Sequence, residues 1–374
     1  MKLFKSLLVA PATLGLLAPL SATANEITIN DFNPVIEETL LAGGEGLADS
    51  PSHDGGFSET TTASFSADMV IGTEDGVAGN EALTAGYSFQ IDLSTSFTGE
   101  DSLDVSIDAG NSDDGNLDEF GLNDAGDGLQ VDGLAYTFPV GDKTTVFVGD
   151  NMDGSTLFST ACVYGGPSDT LDDCGNANSG LAAGHGTAAG ASFDLGNGFT
   201  AAVGYEGTGD STNGLFTNEG QDAYAAQLTY VDDSYGVSVT YGNLETTQES
   251  APFGYLDTTY WALNGYWTPS EAGSMPSISV GYETGDPEQA GAEDTSHYFV
   301  GLQWDEAGPG TFGVALGTKA HVADNADEEM MYEAFYSYPV NDGMTITPLI
   351  YVKENVAAGV DDQTGIMVKT SFSF

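Results

Sequence analysis

YSFQIDLSTSFTGEDSLDVSIDAG, residues 87–110, reads as two strands joined by a short polar turn. In the first half Tyr87, Phe89, Ile91, Leu93 and Phe97 alternate with Ser88, Gln90, Asp92, Ser94 and Ser96. In the second, Leu103, Val105, Ile107 and Ala109 alternate with Ser102, Asp104, Ser106 and Asp108. A period of two gives each strand one apolar and one polar face.

The same period recurs from Thr60 to the end of the chain. It predicts strands at 60–71, 83–97, 101–110, 128–140, 143–151, 185–196, 198–207, 221–232, 235–246, 258–268, 275–285, 294–305, 310–322, 328–340, 344–356 and 362–374, sixteen in all. Links after most even-numbered strands are short (TGED, VGDK, LGNG, VDDSYG, DEAGPG), whereas those after odd-numbered strands are mostly long. One rim of tight turns, one rim of long loops, an even strand number and apolar-out, polar-in alternation define an all-β, transmembrane antiparallel β-barrel of the outer-membrane kind. Aromatics near strand ends, such as Trp261, Trp267, Tyr332 and Tyr338, suit interfacial girdles. The carboxy-terminal strand ends with Phe372 and Phe374 on the apolar parity, resembling the assembly signal of bacterial outer-membrane proteins.

Residues 1–24 carry Lys2 and Lys5, an apolar run from Leu7 to Leu20 and the small-residue site Ala22-Thr23-Ala24, the pattern of a signal peptide. Residues 25–59 are polar and Gly-rich without a period, and read as an arm, lead-in or plug; residues 60–374 are the barrel. Six basic residues, all lysine, face 57 acidic ones, for a formal charge of −51. That balance excludes nucleic-acid binding through phosphates. The 19 Phe and 17 Tyr argue against disorder despite the acidity.

Three stretches resemble the cyanobacterial outer-membrane porins, the group of carbohydrate-selective and iron-uptake porins: IDLSTSFTGEDSLDVSIDAGN (91–111), GLAYTFPVGDKTTVFVGDN (133–151) and TACVYGGPSDTLDDCGN (160–176). NEITINDFNP, residues 25–34, is a fourth. Members commonly carry a surface-layer-homology domain before the barrel, for which residues 25–59 leave no room. Glu100, Ser102, Asp104 and Asp132 stand where members often have basic residues. The resemblance implies a homotrimer in outer-membrane lipid.

The expected function is passive diffusion of small hydrophilic solutes and ions. With the polar parity inward, Asp92, Asp104 and Asp108 face the lumen, and the long loops add Asp113, Asp114, Asp118, Glu119, Asp124 and Asp127. A low-dielectric wall of one charge sign concentrates counter-ions, so cations are favoured. Lys319, Lys353 and Lys369 also point inward, with Glu333 between two of them. They form either a thin basic wall or, through Lys319 and Lys353, a cross-strand neutralisation of Glu333. A sugar-selective channel is the alternative within transport; it needs lumenal aromatics such as Phe335 and Tyr351. A structural or adhesive barrel is the alternative of another class. His53, His185, His297 and His321 lack metal-ligand spacing, the Asp-rich loops lack the EF-hand register, and no G-x-S-x-G elbow occurs. No enzyme activity, cofactor or resident metal is expected.

The longest interruption of the strand pattern runs from Asp150 to Gly184 and holds both cysteines, Cys162 and Cys174, with eleven residues between them. In an exported chain the pair reads as one disulfide. The strand count makes this the third long loop, expected to fold into the barrel as its constriction, with Asp169, Asp172 and Asp173 at the narrow point.

Overall fold

Strands with one wet and one apolar face can cross a membrane only as a closed sheet, where every backbone donor and acceptor finds a partner. The computed structural model describes residues 60–76, 82–111, 117–122, 126–159, 161–172, 174, 186–209, 213–248, 255–270, 275–357 and 359–374. The proposed signal peptide and arm at 1–59, and Asp113, Asp114, Asp124, Asp173, His53 and His185, lie outside them.

The strands are β1 (Thr61–Asp75), β2 (Thr84–Thr95), β3 (Ser102–Gly110), β4 (Gly126–Pro139), β5 (Thr144–Met152), β6 (Gly186–Gly196), β7 (Phe199–Gly207), β8 (Asp222–Val231) and β9 (Tyr235–Gln248). They continue as β10 (Tyr255–Trp267), β11 (Ser277–Pro287), β12 (Thr295–Ala307), β13 (Gly310–Thr318), β14 (Val322–Ala323), β15 (Met330–Asn341), β16 (Met344–Lys353) and β17 (Gln363–Ser373). Every pairing is antiparallel, each strand but β14 lies beside its neighbours in the sequence, with β13 pairing to β15, and β1 pairs with β17 from Ser66↔Ser373 to Asp75↔Thr364, closing the barrel. Sixteen strands build the wall; β14 is a two-residue piece that pairs only with Thr295 and Ser296 of β12.

β14 replaces the end of the strand expected at 310–322. The chain leaves the ladder after Thr318, and His321 turns to place Nε2 2.6 Å from Glu283 Oε1 and Nδ1 3.0 Å from Thr295 Oγ1. Turns on the short-link rim are tight: Asn197 and Gly198 both have positive φ (55° and 83°), as a two-residue I′ hairpin between β6 and β7 requires.

Alternation sorts the two faces. On β11 Ile278, Val280 and Tyr282 are exposed outward, and Ser277, Ser279 and Glu283 are buried inward. Leu228, Trp261, Leu263, Val300, Leu316 and Ile350 continue the outer apolar belt, which only hydrocarbon can cover at this extent. The barrel therefore spans an outer membrane, and sixteen strands leave room for an aqueous lumen. Its apolar core lies inside the wall, formed by Leu117, Phe120, Tyr164 and Leu171 against Phe299, Met331, Phe335, Leu349, Tyr351 and Met367.

Candidate functional site

The described residues of the link after β5, 153–159, 161–172 and 174, run inside the barrel. Successive strands offer inward side chains to its backbone N–H groups. Glu206 of β7 accepts from Gly154 at 2.7 Å and Gln227 of β8 from Ser159 at 2.7 Å. Ser279 of β11 accepts from Val163 at 3.1 Å and Gln303 of β12 from Gly165 at 2.8 Å. The Tyr164 hydroxyl donates to Glu333 of β15 at 2.6 Å, and its ring packs against Phe299 and Phe335. Burial, then the adjacent Glu333 carboxylate, push the Tyr164 hydroxyl well above its ordinary pKa, so it remains a donor.

Inward glycines seat the loop. A Cβ at Gly204 would collide with Gly154, one at Gly281 with the Cys174 carbonyl, and those at Gly301 and Gly317 would press on Tyr164 and Leu171. Cys162 and Cys174 are disulfide-bonded with Cα atoms 5.9 Å apart. Both ends of the bridged segment rest on β11, through Val163 on Ser279 and Cys174 on Gly281. The inward fold of this third long loop matches the expectation from the strand count.

A second inward segment had no signal in the strand period. Residues 117–122 of the β3–β4 link include a 3-10 turn at Asp118–Phe120 and send Leu117 and Phe120 into the apolar core. Glu119, almost fully buried, meets the tip of the disulfide loop. Its carbonyl accepts from the Asp169 N–H at 2.9 Å, and its carboxylate accepts from the Thr170 hydroxyl at 2.9 Å. The same carboxylate pairs with Lys353 of β16.

Asp92, Asp104 and Asp108 occupy inward positions of β2 and β3, where Gln90↔Asp108, Asp92↔Ser106 and Ser94↔Asp104 face one another. Asp92 and Asp104 are part-exposed and Asp108 is buried. Asp92 accepts from Gln90 at 2.8 Å and Ser106 at 2.7 Å, and Asp104 from Ser102 at 2.6 Å. Among the described residues no lysine lies within ion-pair distance of either. Asp169 and Asp172 lie on the disulfide loop, the Asp172 N–H donating to Ser168 O at 3.0 Å.

The expected neutralisation of Glu333 by Lys319 and Lys353 does not occur. Glu333 stands opposite Ala315 and Tyr351, whereas Lys353 stands opposite Met331 and Gln363, a step nearer the long-loop rim. Lys319 has left the ladder and pairs at 2.9 Å with Glu329, which this contact and the Val356 N–H hold below the usual carboxylate pKa. Lys369 sits with Nζ 5.2 Å from the Phe120 ring centroid. Phe335 and Tyr351 point inward but are buried in the core, the Tyr351 hydroxyl donating to Glu74 at 3.0 Å. His297 and His321 stack at 5.7 Å, and among the described residues no group of three His, Cys, Asp or Glu could hold a metal ion.

At the seam, Phe65 and Phe374 exchange backbone hydrogen bonds of 3.0 Å each way and stack their rings at 5.8 Å. A closed sixteen-strand wall, an outer apolar belt and a disulfide-bridged loop laid along the inner wall are the features of the porin fold.

Solved structures agree with that class. The chain superposes on an anion-selective porin of Comamonas acidovorans with TM-score 0.63 at 13% identity, covering 84% of this chain and 99% of that one. It superposes on the trimer form of OmpT, an outer-membrane protein of Vibrio cholerae, with TM-score 0.57 at 11% identity, covering 84% and 100%. An uncharacterised protein of Synechocystis sp. is 27% identical, the match taking in 83% of this chain and 67% of that protein. No family model matches the chain.

Proposed function

We propose that the protein is an outer-membrane porin of the cyanobacterial type, a passive diffusion channel for small hydrophilic solutes and ions that prefers cations. One observation carries the reading. The apolar core lies mainly against β12–β17 and the disulfide loop also runs along β7, β8 and β11, while Ser66, Asp68, Gln90, Asp92, Ser94, Asp104 and Ser106 of β1–β3 stay part-exposed inside the barrel. This polar lane carries acidic charge and no lysine, so it draws counter-cations. In this reading the bridge between Cys162 and Cys174 holds Asp169 and Asp172 in place as the constriction. Transport here needs no covalent chemistry, only a hydrated path and a field.

Fold does not set ion preference, since the Comamonas porin is anion-selective on the same architecture. The sugar-selective alternative loses its aromatic platform, because Phe335 and Tyr351 are buried. A trimer suits the outer surface. All three tryptophans and most outward tyrosines lie between β4 and β15, whereas the outward faces of β16, β17 and β1–β3 carry Tyr87 alone. A face with no tryptophan and a single tyrosine suits contact with another protein better than with lipid headgroups. The same face holds a groove of about 410 Å³ lined by Met69, Ile71, Ala85, Tyr87, Val368 and Thr370.

Proteoliposome swelling tests the channel. Small neutral sugars should enter and larger oligosaccharides be excluded; vesicles that do not swell in the smallest sugar would refute it.

A further inference from the structure

We propose that Glu119 is a selectivity-determining residue, acting as an internal counter-charge that hides Lys353 from permeating ions. The inference rests on the channel reading above.

Lys353 is an inward lysine of β16 whose charge is met by a carboxylate from an inward loop. Its ammonium pairs with Glu119, whose side chain is 4% exposed. Glu119 enters from the β3–β4 link, and three contacts hold it besides the lysine. The Thr170 hydroxyl donates to one carboxylate oxygen at 2.9 Å, the Thr170 N–H to the other at 3.3 Å, and the Asp169 N–H to the Glu119 carbonyl. Leu117 and Phe120, two residues before and one after, are fixed in the apolar core. The carboxylate therefore cannot swing away from Lys353 without displacing both inward loops.

An inward ammonium in a narrow, low-dielectric lumen would raise the local potential and favour anions. Paired with a buried carboxylate it becomes a dipole, whose field falls off faster with distance than that of a single charge. The neighbouring basic group is damped in the same way: Lys369 lies under the Phe120 ring, and its position on β17 adjoins that of Asp68 on β1. Lys319 is held by Glu329 and by the Glu354 carbonyl at 3.0 Å. Asp92 and Asp104, hydrogen-bonded only to neutral donors by the contacts above, then dominate the lumen. One short segment, 117–122, thus meets two of the three basic side chains, Lys353 through Glu119 and Lys369 through Phe120.

Reversal potentials in planar bilayers under a potassium chloride gradient test this, with Glu119→Gln, Lys353→Met and the double variant beside the wild type. Glutamine keeps an acceptor for Thr170 but leaves Lys353 uncompensated. Glu119→Gln should lower the potassium-to-chloride permeability ratio several-fold, as expected for a shift in lumen potential on the order of kT. Lys353→Met should raise the ratio, and the double variant should return it near wild type. A wild-type ratio in Glu119→Gln would overturn the inference, and so would a double variant that keeps the Glu119→Gln value, since loop displacement rather than charge would then be responsible. A wild-type barrel that passes no current overturns the channel reading, and the inference with it; an altered ratio only in the variants separates the two.

Discussion

The hydroxyl of Tyr164, on the disulfide loop, donates to the carboxylate of Glu333, on the barrel wall, across a sequence separation of 169 residues at 2.6 Å. Both side chains are buried, so the bond ties the loop to the wall out of reach of water. Tyr164→Phe leaves a buried Glu333 oxygen without its donor, a loss of about 1–3 kcal/mol for a buried group left unsatisfied. The expected result is a lower thermal midpoint with the barrel still formed, together with noisier open-channel current. Unchanged noise and midpoint would show that the tie is dispensable.

The bridge between Cys162 and Cys174 restricts the same loop, and closing a span of this length contributes about 3 kcal/mol in the chain-entropy account. Reduction, or paired replacement by serine, should change single-channel conductance and raise current fluctuation. Should traces before and after reduction superimpose, the bridged segment does not set the width of the pore.

Asp101 governs the β2–β3 turn, and its chemistry predicts a pH effect. Its carboxylate accepts from Tyr136 at 2.7 Å, and from Ser96, Thr98 and the Phe97 N–H at 2.8–2.9 Å. The Tyr136 bond above all, with those from Thr98 and Ser96, outweighs burial and holds the carboxyl well below the usual range. A folded pKa below the unfolded value of about 3.9 gives stability that is fully present above that pH and lost as pH falls below it. Asp101→Asn should therefore lower the urea midpoint at pH 7, and the gap from wild type should narrow by pH 3. A gap that widens in acid would contradict the sign.

Phe374 closes the barrel against Phe65, and we expect its aromatic ring to serve, with Phe372, as the assembly signal. Phe374→Ala should slow folding into lipid vesicles, followed by the shift in electrophoretic mobility of unheated barrels, with Phe374→Tyr close to wild type. Equal rates for all three would leave the terminal ring without that role.

The strand pattern was legible because alternation is local: each inward or outward position follows from its neighbour, and register along β2 and β3 preserves the pairing of Asp92 with the polar face. The third loop was legible from its length and its two cysteines. Contacts made by loops after they enter the barrel were not. Glu119 meets Lys353, and Tyr351 meets Glu74 across 277 residues, through side-chain geometry that no short period encodes. The exchange of partners around Glu333 has the same origin. A signal for the loop's path did exist, in the inward glycines 204, 281, 301 and 317, but it becomes readable only once their strands lie side by side. The break at His321 likewise depends on Glu283, two strands away in the sheet.

The central claim is a cation-preferring channel, and the measurement that bears on it most directly is the reversal potential of the purified wild-type barrel in a planar bilayer with a tenfold potassium chloride gradient. The account predicts discrete open-channel currents whose reversal potential has the sign set by potassium. A closed barrel, or a reversal potential of the sign set by chloride, would contradict it.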